Sequence, residues 1–522
     1  MVIFRDSPLI ATDIAQWETG LQVVKSYEIT WDKSSIWAIL ITVLWCVAAF
    51  SLGGHKGLPA RKRLIPLAAS IICAGSCYYA IFRSSLIQDM DIHVSGFRPK
   101  ASYQYNGSAL SFAVTAKNAH VVKPSGYDPE VVANIAKTYT SDEAVPATKV
   151  SKKTPNVIVI MNESFADMTS VGEFATNEDF MPYFRSLKEN TIHGWMQSSV
   201  FGGSTADSEF ECLTGFSMNY LPFHSVPYRS VINEEIPSLA YYFKQLGYGG
   251  ITAFHPGMRD SYRRDVVYPL IGFDKHIAFD DLENPEQIRD FVSDACDYQE
   301  LEKEFEQFRS SSGDQPFFMF NVTIQNHGGY AFNTGIVDHG ITITDEQYNE
   351  ESGLQFINLM KYSDEALKDL LDYFSNVDEE TVIVLFGDHQ PKLEPEFYSR
   401  LKTQHPGISA LEWATLKHQV PFMIWANYDI EEQDDLRISA NYIAPYLKSV
   451  IGLPMTGFDK YLMDLHTQLP KISAISYQDA AGGIYDPAEP SQYDEKLNEY
   501  GIIQYNGLID KKNRVEDFFR LK

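Results

Sequence analysis

Short apolar runs alternate with helix-like segments between residue 154 and about residue 460. Five of these runs are continuous, which is typical of strands buried on both faces of a parallel sheet. These strands are predicted at 157–161, 249–254, 317–324, 382–386 and 422–425. Segments 236–246 and 355–374 carry apolar residues at helical spacing. The alternation predicts an α/β fold with a mostly parallel sheet flanked by helices.

Two longer apolar stretches, 36–52 and 64–82, lie near the start of the chain and contain no charged residue. Each approaches the roughly 20 residues that cross a bilayer, so they predict a transmembrane helical hairpin. A buried hairpin in a soluble domain is the alternative. The loop between them is basic and has no acidic residue, which places it in the cytoplasm and places the rest of the chain outside.

These patterns divide the chain into five segments. An extracellular juxtamembrane segment is followed by the hairpin with its cytoplasmic loop, an extracellular stalk, the catalytic domain and a small C-terminal subdomain. Their predicted bounds are 1–35, 36–82, 83–153, 154–460 and 461–522. Because no span or signal precedes an extracellular start, either further spans lie upstream of this sequence or the N-terminus is translocated without them.

Charge and cysteine content exclude two classes of protein. The 522 residues carry a formal net charge of −26, so the basic surface of a nucleic-acid-binding protein is absent and no nucleic acid partner is expected. Of the five cysteines, Cys212 and Cys296 fall in the predicted outer domain. This is too few for a disulfide-rich scaffold, and whether these two pair is left open by the sequence.

Reactive side chains follow the ends of four predicted strands, where open α/β sheets bind their ligands. They are Glu163, His255, His327 and the pair Asp388-His389. Each alone is compatible with a polar residue satisfied in a turn, but their gathering at one edge favours a site. Two carboxylates and an imidazole, with no thiolate, suit one divalent cation, Mn²⁺ or Mg²⁺, and Zn²⁺ is also possible.

Thr205 is the candidate nucleophile. It follows Gly202-Gly203-Ser204 and precedes a segment that resembles the first turn of a helix. Helix capping alone would explain a hydroxyl here, but a cap and a nucleophile are compatible. Glycines permit close approach of a ligand, and a helix N-terminus offers N–H groups to a phosphate. A bound divalent cation would activate the hydroxyl.

A local basic cluster in this acidic chain indicates an anionic ligand. The segment 255–265 contains three arginines and one histidine. Arg264 is predicted to form bidentate bonds to phosphate oxygens, with His255 and His327 as hydrogen-bond donors or proton carriers. Arg259 and Arg263 are expected instead to pair with the neighbouring aspartates on a solvated face.

Motifs in this order resemble those of the lipoteichoic acid synthase family, within the alkaline phosphatase and sulfatase superfamily. The resemblance covers about residues 85 to 460 and rests on segments 156–164 (NVIVIMNES), 204–211 (STADSEFE), 255–265 (His-x6-Tyr-x-Arg-Asp), 326–330 (NHGGY) and 387–390 (GDHQ). It implies Glu163, Thr205, Asp388 and His389 as Mn²⁺ ligands, Thr205 also as nucleophile, and His255, Arg264 and His327 as the glycerol-phosphate pocket.

Two features depart from the family pattern. Tyr262 occupies a pocket position where the family usually has tryptophan, which leaves the exact substrate open. Members typically have five membrane spans, whereas this sequence shows two.

The resemblance implies a membrane-anchored, extracellular phosphoglycerol transferase of a Gram-positive-type envelope. Its donor would be phosphatidylglycerol, its intermediate a phospho-threonine, and its acceptor lipid- or glycan-linked, as in lipoteichoic acid. A phosphoethanolamine transferase or another phosphodiesterase of the superfamily is the enzyme alternative, and an inactive regulatory surface module is the alternative from another class. A sulfatase is disfavoured because Cys212 does not stand in a Cys-x-Pro-x-Arg motif.

Overall fold

A computed structural model gives the structure of most of the chain. It describes residues 40–48, 60–84, 99–117, 119–140, 154–222, 225–313, 315–330 and 337–521, with the single positions 9, 11, 13, 87, 90 and 92. The chain forms two compact units, Met1–Ala119 and His120–Lys522.

Most of the described part of the first unit is helical. Its elements are residues 40–48, α1 (Ala60–Tyr78), α2 (Pro99–Asn106) and α3 (Ser108–Lys117), and α1 continues into a π-helical turn at Tyr79–Arg83. Among the described residues, no helix combines the length and the apolar character needed to cross a bilayer. The predicted span 36–52 is described only over 40–48, and the predicted extracellular segment 1–35 lies outside the described residues except at positions 9, 11 and 13.

The second unit is built on an eight-stranded sheet with the order β10-β2-β9-β8-β1-β7-β3-β4. Its strands are β1 (Asn156–Asn162), β2 (Thr191–Gln197), β3 (Gly249–His255), β4 (Lys275–Ala278), β7 (Phe317–Val322), β8 (Thr381–Gly387), β9 (Gln419–Ala426) and β10 (Gln433–Ser439). β9 runs antiparallel to its neighbours β2 and β8, and the other neighbouring pairs are parallel. The predicted mostly parallel α/β sheet is therefore confirmed.

Smaller strands and helices complete this unit. The hairpin β5 (Gln287–Ile288) and β6 (Phe291–Val292) precedes a long helix, and β11 (Lys471–Ile472), β12 (Tyr477–Gln478) and β13 (Ile484–Tyr485) form a three-stranded sheet. The helices are α4 (Pro129–Tyr139), α5 (Pro182–Ser186), α6 (Thr205–Thr214), α7 (Pro227–Ser230), α8 (Leu239–Gln245), α9 (Arg264–Leu270), α10 (Asp294–Ser312), α11 (Glu351–Ser375), α12 (Pro395–Thr403), α13 (Ala410–Lys417), α14 (Ile443–Val450), α15 (Gly457–Gln468), α16 (Asp494–Leu508) and α17 (Glu516–Phe519).

Helices cover both faces of the sheet, which explains the continuous apolar runs of its central strands. Along β1, Val157 and Val159 point into one core and Ile158 and Ile160 into the other, and every residue of the strand is buried. Side chains of α6, α8 and α14 belong to the first core, and those of α10 and α11 belong to the second.

The C-terminal residues pack into the first of these cores. The predicted boundary at residue 460 falls inside α15, and Tyr461, Tyr500 and Phe518 lie in the same hydrophobic cluster as Val157 of the sheet. Burial of these aromatic side chains ties the last 60 or so residues to the sheet through the hydrophobic effect.

Three strands of the eight-stranded sheet escaped the sequence prediction, as did the short strands outside it. β4 is short, β10 is an edge strand with exposed charged residues, and β2 mixes polar residues with Gly194 and Trp195. Gly194 is required where it lies, because a Cβ atom there would come within 2.2 Å of the carbonyl oxygen of Leu436 on β10. Gly194 permits close approach of the two backbones, and Ile192 and Met196 bury β2 against the first core.

The two cysteines of this unit do not pair. Cys212 lies on α6 in the first core, whereas Cys296 lies on α10, which packs against the other face of the sheet. Both thiols are free in the described structure, so the sheet itself separates them.

Candidate active site

The carboxyl ends of seven of the eight strands lie at one edge of the sheet, because β9 alone runs the other way. β1 and β8 are paired so that Asn162 lies beside Gly387, which brings Glu163 and Asp388 next to each other. Gly387 allows this approach, because a Cβ atom at this position would lie 1.9 Å from the carbonyl oxygen of Phe165. The glycine of the Gly-Asp-His motif is thus explained by the crossing of two backbones.

Glu163, Asp388 and His389 form a compact, buried cluster. One side-chain ligand atom from each lies within 4.8 Å of the others. His389 Nε2 is 3.1 Å from Asp388 Oδ2 and 3.7 Å from Glu163 Oε1. Ligand atoms held at about 2.1 Å from a single ion lie roughly 3 to 3.5 Å apart, so this spacing fits a common cation.

Two atoms of the cluster are left without hydrogen bonds. Asp388 Oδ1 accepts from the backbone N–H groups of Ser164 and His389, but Asp388 Oδ2 and His389 Nε2 have no hydrogen-bond partner among the described residues. The other ring nitrogen, His389 Nδ1, is 3.0 Å from the carbonyl oxygen of Gln390, which fixes the proton there. The Nε2 lone pair therefore faces the carboxylates, as a metal ligand would.

Burial and the neighbouring Glu163 carboxylate raise the pKa of Asp388 to about 7. The buried carboxylates of Glu163 and Asp388 have oxygen atoms within 4.8 Å of each other and repel when both are ionised. One of them therefore favours the protonated form when no cation is bound. A divalent cation would remove that repulsion and keep both ionised. The cluster therefore couples cation binding to the loss of a proton.

Thr205 joins this cluster from β2. The loop after β2 ends at Ser204, which adopts a left-handed conformation with φ of 72°, and α6 begins at Thr205. Thr205 Oγ1 donates a hydrogen bond of 3.1 Å to Glu163 Oε2. The hydroxyls of Ser198 and Ser208 both donate to the carbonyl oxygen of Asp388, so the loop and the helix are fixed to the end of β8.

Arg264 is buried and already has an acidic partner. Its Nε donates to Glu209 Oε1 at 3.0 Å, its Nη2 also contacts that carboxylate, and Tyr268 donates to Glu209 Oε2 at 2.8 Å. The ring of Tyr262 lies 5.2 Å from the guanidinium. The Nε and Nη2 edge of the Arg264 guanidinium is thus bonded to Glu209. Nη1 is the nitrogen on the opposite side of the group.

The two remaining arginines of this segment do not pair as predicted. Arg259 forms an ion pair with Asp281 across the end of β4, and Arg263 Nη1 donates to the carbonyl oxygen of Tyr228 at 3.1 Å. The predicted partners Asp260 and Asp265 are neighbours along the chain, but the turn after β3 directs both arginines to other elements.

His255 and His327 lie at the same edge of the sheet. His255 Nδ1 is 2.9 Å from the carbonyl oxygen of Val322, and burial together with the charge of Arg264 lowers its pKa. Burial also lowers the pKa of His327, against the opposing field of Glu163. Both imidazoles are neutral at neutral pH, which suits hydrogen bonding more than charge pairing.

The sequence analysis missed the residues that support the site. Thr323 Oγ1 accepts from the backbone N–H of Glu163 at 3.1 Å, and Glu209 holds Arg264. The sequence did offer a signal for Glu209, because it lies four residues after Thr205 on a predicted helix and therefore on the same helix face as Thr205. No local pattern identifies Thr323, since its partner is 160 residues away in the chain.

Replacing Glu209 with glutamine is expected to lower the free energy of unfolding by about 3 to 5 kcal/mol, because Arg264 would remain buried without its counter-charge. Chemical denaturation would measure this. The control is Glu300→Gln, since Glu300 pairs with Lys303 on an exposed helix face, and a loss of less than about 1 kcal/mol is expected there. Equal losses in both variants would contradict the assignment of Arg264 and Glu209 as a stabilising buried pair.

Comparison with known proteins identifies the family. The family model described as Sulfatase matches residues 155–453. A protein of Rhizobium meliloti strain 1021 named "Putative cyclic beta-1,2-glucan modification protein" is 31% identical over 434 residues, covering 80% of this chain and 64% of that protein. The chain spans between 36% and 64% of the lengths of the curated relatives that it matches.

Two solved structures share the fold at low sequence identity. The phosphoglycerol transferase GacH of Streptococcus pyogenes, solved in complex with sn-glycerol-1-phosphate, has a TM-score of 0.61 and 21% identity, covering 77% of this chain and 99% of that chain. The lipoteichoic acid synthase LtaP of Listeria monocytogenes has a TM-score of 0.55 and 17% identity, covering 73% and 98%. The chain therefore belongs to the Sulfatase family, within the alkaline phosphatase and sulfatase superfamily, and has the fold of its lipoteichoic acid synthase-like members.

Proposed function

We propose that this protein transfers glycerol phosphate from phosphatidylglycerol to a cell-envelope acceptor through a covalent intermediate on Thr205. One observation carries the proposal. The hydroxyl of Thr205 stands at the N-terminus of α6 and 3.1 Å from Glu163, inside a buried cluster in which Asp388 Oδ2 and His389 Nε2 have no hydrogen-bond partner among the described residues. The candidate nucleophile and the candidate cation site thus share the carboxylate of Glu163.

Glu163, Thr205, Asp388 and His389 would hold the cation. Mn²⁺ or Mg²⁺ suits this set of mainly oxygen ligands, and Zn²⁺ is also compatible. When bound, such a cation lowers the pKa of a hydroxyl and stabilises negative charge on a phosphoryl group. The N–H groups at the start of α6 add partial positive charge directed at the same phosphate.

The reaction is a double displacement at phosphorus. Thr205 Oγ1 loses its proton and forms a bond to phosphorus, while the bond from phosphorus to the diacylglycerol oxygen breaks and that oxygen takes up a proton. The acceptor hydroxyl then attacks the same phosphorus from the side that diacylglycerol left, and Thr205 recovers its proton. Each attack proceeds in line with its leaving group, so acceptor and diacylglycerol use the same face of the phosphate.

His255, Tyr262, Arg264 and His327 would bind the glycerol phosphate. Arg264 contributes a fixed positive charge, although Glu209 occupies one edge of its guanidinium, so phosphate contact is through Nη1. The proton of neutral His255 is on Nδ1, which faces the carbonyl oxygen of Val322, so Nε2 would accept a hydrogen bond from a glycerol hydroxyl. His327 would carry the proton to the departing oxygen. Tyr262 packs over Arg264 and shapes the pocket for the head group.

The acceptor is a hydroxyl on a lipid- or glycan-linked envelope component. The Rhizobium meliloti relative is named for the modification of a cyclic glucan, which supports a glycan hydroxyl as acceptor. Anchoring at the outer face of the cell membrane belongs to this proposal, because a tether near a bilayer raises the effective concentration of a lipid donor.

Incubation with two labelled lipids tests the head group. With Mn²⁺ present, we expect diacylglycerol release from phosphatidylglycerol to exceed that from phosphatidylethanolamine by at least about tenfold, since the glycerol hydroxyls can pair with neutral histidines. Thin-layer chromatography of the released diacylglycerol measures both rates. Release from phosphatidylethanolamine alone would assign the chain to phosphoethanolamine transfer, and release from neither would favour an inactive regulatory module.

A further inference from the structure

Residues 287–297, which we name the clamp, bind the loop that carries His327. The clamp comprises the hairpin β5–β6, Ser293 and the first turn of α10. The loop that it contacts, residues 323–330, follows β7 at the edge of the sheet where Glu163 and Asp388 lie. No motif in the sequence pointed to the clamp, and the proposed reaction assigns it no role.

Arg289 holds this loop through its backbone. Its guanidinium donates to the carbonyl oxygens of Gln325, His327 and Gly329 over 2.8 to 3.0 Å. The rings of Phe291 and Tyr330 lie 5.3 and 5.4 Å from the guanidinium carbon. One planar guanidinium thus binds three carbonyl oxygens within residues 325–329, which restricts movement of the loop backbone.

The arginine itself occupies a strained position in the hairpin. Its φ is 51°, in the left-handed region that a long side chain seldom adopts. Strain of this kind persists where the surrounding contacts compensate for it. Here the compensating contacts are those to the His327 loop.

Phe291 contacts the histidine directly. Its ring centroid lies 5.2 Å from that of His327, with the planes tilted by 42°. Rotation of the imidazole is therefore limited from one side by a residue of the clamp.

Asp294 connects the clamp to both strand ends of the site. Its backbone N–H donates to Gln325 Oε1 at 2.9 Å, and its buried Oδ2 accepts from Asn162 Nδ2 at 2.9 Å. Asn162 directly precedes Glu163. Asn326, which directly precedes His327, donates to Asn162 Oδ1 at 3.2 Å. A short chain of hydrogen bonds thus links the residues beside Glu163 and His327.

We infer that Arg289 and Asp294 are positioning residues that set the place of His327 relative to Glu163, and thereby the affinity of the site for a phosphoglycerol group. The inference rests on the proposed function for the identity of that ligand. Among the described residues, the hydrogen bonds of the Arg289 side chain all go to the His327 loop, so it governs substrate binding. Asp294 contacts Asn162, which precedes Glu163, and Gln325 of the His327 loop, so it governs substrate and cation binding together.

The Arg289→Lys variant separates these roles. An ammonium keeps the charge but lacks the planar fork that reaches three carbonyls, so we expect the dissociation constant for sn-glycerol-1-phosphate to rise about tenfold or more. Affinity for Mn²⁺ should stay close to that of the native protein, whereas the midpoint of thermal unfolding should fall because buried hydrogen bonds to the loop are lost. Asp294→Asn is expected to weaken both ligands. Calorimetric titration of each ligand provides the readings.

Arg309→Lys is the matched control, because Arg309 lies on α10 but pairs with Glu306 and Glu379 at the surface. It should bind both ligands as the native protein does. Unchanged glycerol phosphate affinity in Arg289→Lys, or equal losses in Arg289→Lys and Arg309→Lys, would overturn the inference. If Arg289→Lys does not fold, Phe291→Leu takes its place with the same expected selectivity.

Hydrogen exchange distinguishes failure of this inference from failure of the proposed function. If the native protein binds no glycerol phosphate, the proposed function is contradicted, and the clamp is judged from the amides of residues 325–330. Faster exchange of these amides in Arg289→Lys than in Arg309→Lys supports the clamp. Equal exchange contradicts it.

Discussion

Replacing Thr205 with valine is expected to reduce diacylglycerol release from phosphatidylglycerol by at least about 10³-fold, as for other enzymes that lose a covalent nucleophile. Valine keeps the branched shape of threonine and removes only the hydroxyl. That hydroxyl donates to Glu163 and lies beside the Asp388 carboxylate, so the expected cost in stability is about 1 to 2 kcal/mol. Activity and stability should therefore separate clearly in this variant.

Two further variants control this result. Thr205→Ser keeps a hydroxyl at the same place and should retain measurable turnover. Thr403→Val removes an exposed threonine hydroxyl that contacts only the carbonyl oxygen of Arg400 in the described structure, and it should leave the rate unchanged. Release by Thr205→Val at a tenth of the native rate or more would rule out Thr205 as the nucleophile.

The Asp388→Asn variant is expected to lose the response to Mn²⁺ yet gain stability in the metal-free protein at pH 8. Burial and Glu163 raise the folded-state pKa of Asp388 to about 7, above its ordinary value of 3.8. The folded state then binds the proton more tightly than the unfolded state does. Stability of the metal-free protein therefore falls as the pH rises from about 4 to 7, by on the order of several kcal/mol, and stays low above that window.

Asparagine removes this pH dependence for a structural reason. It can keep the acceptor that Ser164 and His389 use, and its amide group would replace Oδ2, which faces His389 Nε2 at 3.1 Å. The native protein should instead gain stability when Mn²⁺ is added, and this gain should grow between pH 5 and pH 8 because the cation competes with a proton.

Thermal unfolding with EDTA or Mn²⁺ across this pH range measures both effects. Asp372→Asn is the control, since this exposed carboxylate pairs with Lys368 on the surface of α11 and should behave as the native protein does. Equal stabilisation by Mn²⁺ in the native protein and Asp388→Asn would show that Asp388 is not a ligand.

The central strands and the residues at their ends could be predicted from sequence because both depend on local patterns. β1 and β8 are buried on both faces, so their apolar runs are continuous, and Glu163 and Asp388 follow those runs directly. Parallel pairing then places the two carboxylates at one edge. Glu163, Asp388 and His389, which the structure brings together as a group that could hold a metal ion, were all named from this rule.

Other parts of the site depend on contacts between distant segments and leave no local pattern. The loop that ends at Thr205 follows β2. Gly194 of β2 packs closely against β10, and such a contact between distant segments leaves no local pattern. Arg289 binds carbonyl oxygens 36 to 40 residues further along the chain. Every residue has a backbone carbonyl, so the residue types in the sequence do not show which carbonyls Arg289 binds.

Mass spectrometry of the protein after incubation with phosphatidylglycerol and Mn²⁺, without acceptor, tests the central claim most directly. We predict a glycerophosphoryl group on the peptide that contains Thr205, its absence in Thr205→Val, and its loss from the native protein when an acceptor is added. Turnover with an unmodified Thr205 peptide, together with an adduct on another residue, would contradict the account.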